Sequence, residues 1–138
     1  MQELYQKQML GLAAQMRQQG LISNPDMVAE VRNPVCGDRV KAAITLSEGA
    51  ITSAGIEARG CALCEAGSGL WLSLCHQHTL TELEQLKAAF EYWLISGEYQ
   101  ADEYPNFSAF EPVRHIKNRH KCVLLAFDTA TRFTPVLG

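Results

Sequence analysis

Near the start of the chain, Leu4, Met9, Leu12, Ala13 and Met16 recur at roughly helical steps. They predict a helix from about Gln2 to Gln19, with Gly20 as its stop. Asn24-Pro25-Asp26 reads as a turn, and beyond it the period shortens to that of strands. Met27 to Arg32 is a short, mixed strand. Val40 to Leu46 alternates, with Val40, Ala42, Ile44 and Leu46 on one face and Lys41 and Thr45 on the other. Glu48-Gly49 is a turn, and Ala50 to Arg59 is a third strand, weakened by Gly55. Consecutive strands joined by tight turns imply an antiparallel meander.

After Gly60 the period changes again. Leu63, Ala66, Gly67, Leu70, Trp71 and Leu74 fit a buried helix from about Ala62 to His76. Thr79 and Glu82 form a capping-box pair. Leu80, Leu83, Leu86, Phe90, Trp93 and Leu94 then trace an amphipathic helix to about Ser96, stopped by Gly97. Glu98 to Pro112 reads as an ordered loop or short helical turns. A last helix, beginning near Asn118, carries Cys122, Leu125 and Ala126 inward. The expected fold is α+β: a three-stranded antiparallel sheet with helices packed on one face, N-terminal helix first.

Composition narrows the setting. A chain of 138 residues with 47% apolar side chains suits one globular domain spanning 1–138. A net charge of −3 leaves no polybasic footprint for nucleic acid, and no apolar run approaches the ~20 residues of a membrane span. The polar start, Met1-Gln2-Glu3-Leu4-Tyr5, is not a signal peptide, so a cytoplasmic location with reduced thiols is expected. Five cysteines, an odd number, argue against a simple disulfide framework.

The candidate chemistry lies in three stretches: Asn33-Pro34-Val35-Cys36-Gly37-Asp38, Gly60-Cys61-Ala62-Leu63-Cys64 and Arg119-His120-Lys121-Cys122. Each sets a thiol beside a turn or at a helix start. Thiolates plus a carboxylate make a four-coordinate site for zinc or iron. Cys36 and Asp38 share a side in extended chain and can be two ligands, or a buried thiol with a carboxylate that bonds turn amides. Cys61 at a helix start is favoured as a thiolate. Cys64 completes a Cys-x-x-Cys pair that could bind metal or cycle as a dithiol, or it is a small apolar filler of the helix. Neighbouring cations are expected to stabilise a Cys122 thiolate, the alternative being a core thiol. Cys75 reads as structural, His76 and His78 as capping or surface residues, and His115 as a surface residue.

These residues, with Lys121-Cys122-x-Leu124-Leu125-Ala126, resemble the U-type iron–sulfur assembly proteins, the family of IscU and the NifU N-terminal domain. The resemblance covers nearly the whole chain. It lies nearest the SufU branch, on the extra residues around Gly97-Glu98-Tyr99 and Asp102-Glu103 and on Lys121, where IscU-type members carry histidine. His120, one residue earlier, should point elsewhere. The resemblance implies a metal site of Cys36, Asp38, Cys61 and Cys122, holding zinc or a transient iron–sulfur cluster. It also implies a scaffold or sulfur-transfer role more than that of a stand-alone enzyme. Cys122 would accept sulfur from a cysteine desulfurase, and cluster-accepting apoproteins would lie downstream. The chain departs from the family at Cys64, usually serine, and at Gly67 and Gly69, which should soften the second helix. Its C-terminal segment is short, and Glu111-Pro112-Val113-Arg114 is at most a remnant of a chaperone-recognition segment. Two rival readings remain: a dithiol redox protein using Cys61 and Cys64, and a structural zinc domain.

Overall fold

A computed structural model describes residues 2–98 and 106–136, so Asp102 and Glu103 of the expected insertion lie outside the described residues. Helix α1 spans Gln2–Gln19 and ends at Gly20, whose φ of +59° lies in the left-handed region that favours glycine. Strands β1 (Met27–Arg32), β2 (Arg39–Ser47) and β3 (Ala50–Arg59) form the expected antiparallel meander. Helices α2 (Ala62–Cys75) and α3 (Leu80–Ser96) follow. The Thr79–Glu82 capping box is present in both directions, at 3.1 and 2.9 Å, and Gly97 closes α3 in the left-handed conformation. After a 3-10 helix at Phe107–Phe110 come α4 (Glu111–Arg114), a 3-10 helix at Lys117–Arg119, α5 (His120–Leu124) and a further 3-10 helix at Leu125–Thr131.

Two expectations need correction. The sheet has four strands, in the order β3-β2-β1-β4, because Thr134–Pro135 pairs with Val28 and Met27 as a short β4. Two residues show no alternation, and proline is tolerated here because it sits on an edge strand. The expected last helix is also broken into α and 3-10 pieces. Thr129 contributes, since its hydroxyl donates to the Ala126 carbonyl at 2.6 Å and favours the tighter turn.

Val31, Val40, Ala42, Ile44 and Ile56 are buried on the helix-covered face of the sheet. The core beneath α3 is aromatic: Phe90 lies 4.7 Å from Phe107, 5.4 Å from Phe110 and 5.4 Å from Phe127, measured between ring centroids. Leu4 is exposed, although it continues the apolar spacing of α1. Leu12 meets Gly69, and Arg17 pairs with Glu65 at 3.1 Å, so α1 runs antiparallel to the shorter α2 and its first turn extends past the end of that helix.

The glycines predicted to weaken elements do not break them. At Gly67 a Cβ would meet the Val123 backbone, and at Gly69 it would meet that of Leu12. These two positions let α2 pack directly on α5 and α1, which is how the segment bearing Cys122 comes so near α2.

Candidate metal centre

Strand register brings the first two thiol stretches to one end of the sheet. Arg32 pairs with Arg39, and Arg39 with Arg59, so the Asn33–Asp38 turn and the Gly60-Cys61 junction leave the sheet together. One step beyond the Arg39–Arg59 pair, Asp38 stands opposite Gly60. Asp38 is two residues before Val40 and shares its inward face, which leaves the carboxylate only 5% exposed. A Cβ on Gly60 would fall on the Asp38 side chain, 2.5 Å from its Cγ and 2.9 Å from its Cβ. The glycine therefore makes room for the carboxylate.

The turn is built to present Cys36. Asn33 Oδ1 accepts from Val35 N at 3.0 Å, Asn33 O accepts from Gly37 N at 2.8 Å, and Asp38 O accepts from Asn33 N at 2.8 Å. Gly37 takes a φ of +79°, which turns the chain back into β2. Cys36 is exposed at its tip. Cys61 occupies the N-cap position of α2. Its backbone N–H donates to Asp38 Oδ1 at 3.3 Å, and its thiol donates to Asp38 Oδ2 at 3.5 Å. Cys122 enters from α5, only 2% exposed, with the Cys61 thiol and the Arg119 side chain as its electrostatic neighbours.

The ligand atoms of Cys36, Asp38 and Cys122 all lie within 4.8 Å of one another. A tetrahedral zinc with Zn–S bonds of about 2.3 Å sets its sulfurs about 3.8 Å apart. The three atoms thus need to close by only about 1 Å around an ion. Cys61, hydrogen-bonded to Asp38, adjoins this group without supplying one of its three atoms, and two thiols with one carboxylate are already a donor set suited to zinc or iron. The rim is open on one side. A cleft of about 310 Å³ runs from Asn33, Val35 and Cys36 to Lys117, Arg119 and Cys122.

One electrostatic expectation is overturned. The Cys122 thiol is pushed up to about 12, first by burial, then by its charge interaction and hydrogen bond with Cys61; only the Arg119 hydrogen bond lowers it. Lys121 is exposed, and among the described residues Arg119 is the cation that lowers the Cys122 value. Without a metal, Cys122 is a neutral thiol at physiological pH. Cys64 is 1% exposed and is likewise pushed up to about 12, by burial and then by Asp38, Cys61, Cys122 and Cys36. Cys75 is buried in α2, where burial raises its value far above the ordinary one.

The histidines stay outside the cluster. His120 Nε2 donates to the carbonyls of Val113 (3.1 Å) and Arg114 (3.0 Å), away from the thiols as expected. His76 pairs with Gln77, and His115 lies exposed beside Glu111. Sequence reasoning missed Gly60 as a supporting residue, whereas Arg119 is one of the cations it expected to act on Cys122. The signal for Gly60 was its position opposite Asp38 in the register.

Comparison with known proteins agrees with this geometry. The sequence profile of the NifU-like N terminal domain matches residues 4–92. The chain is 21% identical over 126 residues to the iron–sulfur cluster assembly scaffold protein IscU of Thermotoga maritima, covering 91% of this chain and 89% of the relative. A crystal structure of a nitrogen-fixing NifU-like protein (N-terminal) from Brucella abortus superposes with a TM-score of 0.72 at 32% identity, covering 89% of this chain and 86% of that one. A SUF-system assembly scaffold protein from Fervidobacterium islandicum superposes with a TM-score of 0.79 at 22% identity, covering 90% and 91%, and so shares the fold. No helix among the described residues is long and apolar enough to cross a membrane.

Proposed function

We propose that this chain, which belongs to the NifU-like N terminal domain family, is an iron–sulfur cluster assembly scaffold of the SufU-like kind, folded as one domain and working in the cytoplasm. Cys36, Asp38, Cys61 and Cys122 are its metal ligands and zinc its resident metal. A cysteine desulfurase supplies sulfur to Cys122, and apoproteins receive the assembled cluster. The observation that carries this reading is the meeting of Cys36, Asp38 and Cys122, from a turn and a distant helix, within 4.8 Å.

A bound divalent ion supplies a Lewis-acid centre that keeps its cysteine ligands as thiolates. The protein's own residues do the rest. Asp38 orients Cys61 by accepting from its backbone N–H, and exposed Cys36 leaves the site open on the solvent side. Arg119 steadies negative charge on Cys122. In the transfer step the Cys122 thiolate attacks the outer sulfur of the desulfurase persulfide. The donor S–S bond breaks, a new S–S bond forms on Cys122, and the donor cysteine leaves as a thiolate. Iron and further sulfur are cargo assembled on the same thiolates.

The burial of Cys64 disfavours a cycling dithiol, and the exposure of Cys36 disfavours a closed structural zinc site. The test is metal analysis and persulfide mass spectrometry after incubation with a cysteine desulfurase and cysteine. Cys36→Ala, Asp38→Ala and Cys61→Ala should lose metal under mild chelation, and Cys122→Ala should gain no sulfur. Retention of both metal and sulfur acceptance in Cys36→Ala and Cys122→Ala overturns the reading.

A further inference from the structure

Residues 117–122 form one wall of the open cleft, and Lys117, Asn118, Arg119, Lys121 and Cys122 all line it. His120, in the middle of that run, does not. Its half-buried ring turns behind the wall, where Nε2 lies 3.1 Å from the Val113 carbonyl oxygen and 3.0 Å from that of Arg114. Both partners are acceptors only, so Nε2 carries a proton and shares it between them. These are the last two carbonyls of α4, and a helix C-terminus is where carbonyls are open to side-chain donors. Helix α4 is itself firmly held. Val113 is buried, Arg114 Nε donates to the Trp93 carbonyl at 3.2 Å, and the guanidinium lies over the Trp93 ring at 5.7 Å.

The wall needs such a tie. Helix α5 has only five residues and no side-chain hydrogen bond at its N-cap, Arg119. A helix that short is not stable through its own backbone bonds. Val123, pressed on Gly67, holds its later part against α2, and His120 holds its first residue to α4. His120 and Cys122 are two residues apart, about 200° around a helix. The imidazole and the sulfur therefore point in nearly opposite directions, and fixing the first at the back of the wall fixes how the second enters the cleft.

Resting on the function proposed above, we infer that His120 is a positioning residue for sulfur transfer. Its Nε2–H bond to α4 holds α5 so that the Cys122 sulfur faces the metal site and the mouth of the cleft. The imidazole touches neither the ion nor the incoming persulfide. Its contribution is alignment: reacting atoms must stand about 3–3.5 Å apart, and a displacement of about 1 Å can cost on the order of 100-fold in rate.

The test compares three replacements of His120. His120→Phe keeps a ring without a donor. His120→Gln places an amide N–H at a reach similar to that of Nε2. His120→Asn stops short at the reach of Nδ1 and adds no bulk, so it repeats the test should His120→Phe fold poorly. Thr79→Ala, which removes the N-cap of α3, controls for lost stability alone. Each zinc-loaded protein is checked by circular dichroism and thermal melting, then followed through one round of persulfide transfer from a cysteine desulfurase at varied scaffold concentration. Cobalt(II) in place of zinc reports donor geometry through its ligand-field bands. His120→Phe and His120→Asn should slow the saturating rate by about tenfold or more and leave half-saturation within about twofold, because the imidazole lies behind the cleft wall. Their cobalt bands should shift or weaken. His120→Gln should restore the bands and bring the rate to within about threefold of wild type. Thr79→Ala should melt lower and transfer sulfur as wild type does. The inference is overturned by wild-type rates and bands in His120→Phe and His120→Asn, by a His120→Gln as slow as they are, or by equal slowing in Thr79→Ala at equal loss of Tm. A wild type that gains no sulfur on Cys122 sinks the functional reading instead, and the cobalt bands of the His120 variants then still decide whether His120 places Cys122.

Discussion

Replacing Gly60 with alanine should damage the metal site through a residue that ligates nothing. The new Cβ would stand 2.9 Å from the Asp38 Cβ and 2.5 Å from its Cγ, and would press still harder on Oδ1. Carbon atoms pack at about 3.5–4.0 Å, so the carboxylate and the start of α2 must separate by about 1 Å. The Asp38 bonds to Cys61 N and Sγ are already 3.3 and 3.5 Å long, and neither survives that shift. Hydrogen bonds to a charged acceptor contribute about 1.5–3 kcal/mol each, less when long, so the loss is about 2 kcal/mol. At roughly 3–4 °C per kcal/mol for a chain of this size, Tm should fall about 6–8 °C. Displacing a carboxylate ligand by about 1 Å should also weaken zinc binding on the order of 10- to 100-fold. The assay is a double-mutant cycle with Asp38→Ala, read by thermal melting and chelator competition. Asp38→Ala removes Cγ and Oδ1, the atoms in deepest conflict, so Gly60→Ala should cost far less in that background. Equal effects of Gly60→Ala in both backgrounds would refute the claim that Gly60 acts through Asp38.

Gly67→Ala should destabilise the fold by overpacking, because its Cβ would meet Val123 Cα at 2.8 Å and its carbonyl carbon at 2.9 Å, both backbone atoms that cannot swing aside. A cost of about 1–3 kcal/mol is expected in chemical denaturation, whereas an unchanged midpoint would mean that α2 and α5 are not tightly apposed. Cys75 should resist alkylation in the folded protein at neutral pH and react only on unfolding, as its burial implies. Because burial raises its value from an ordinary 9.0, the neutral thiol is favoured in the folded state; this stability is complete below about pH 9 and is lost as pH rises further. Thermal melts of Cys75→Ala should accordingly fall less steeply above pH 9 than those of wild type.

The elements most legible in the sequence are those whose signals are local. The bounds of α1, β1 and β3, the capping box of α3 and the Glu48-Gly49 turn all follow from periodicity or from one residue's backbone preference, and the structure places them as expected. Phe107 and Phe110 carry no such pattern, since they sit in short 3-10 and turn segments, and their burial against Phe90 depends on where α3 lies. The strand β4 was hidden for a related reason: two residues can pair with β1 only once β1 offers a free edge.

At the site, the chain alone named the donor residue types and their order: a thiol and carboxylate in a turn, a thiol at a helix start, and a thiol after a basic run. Such features are written in nearest neighbours. Which atoms meet was settled by packing across long separations. Strand register set Asp38 opposite Gly60, and Gly67 let Val123 bring Cys122 up to α2. The protonation of Cys122 followed the same division. Its basic neighbours in sequence suggested a thiolate, but desolvation depends on everything folded around the sulfur, and burial beside other thiols makes it neutral until a metal arrives.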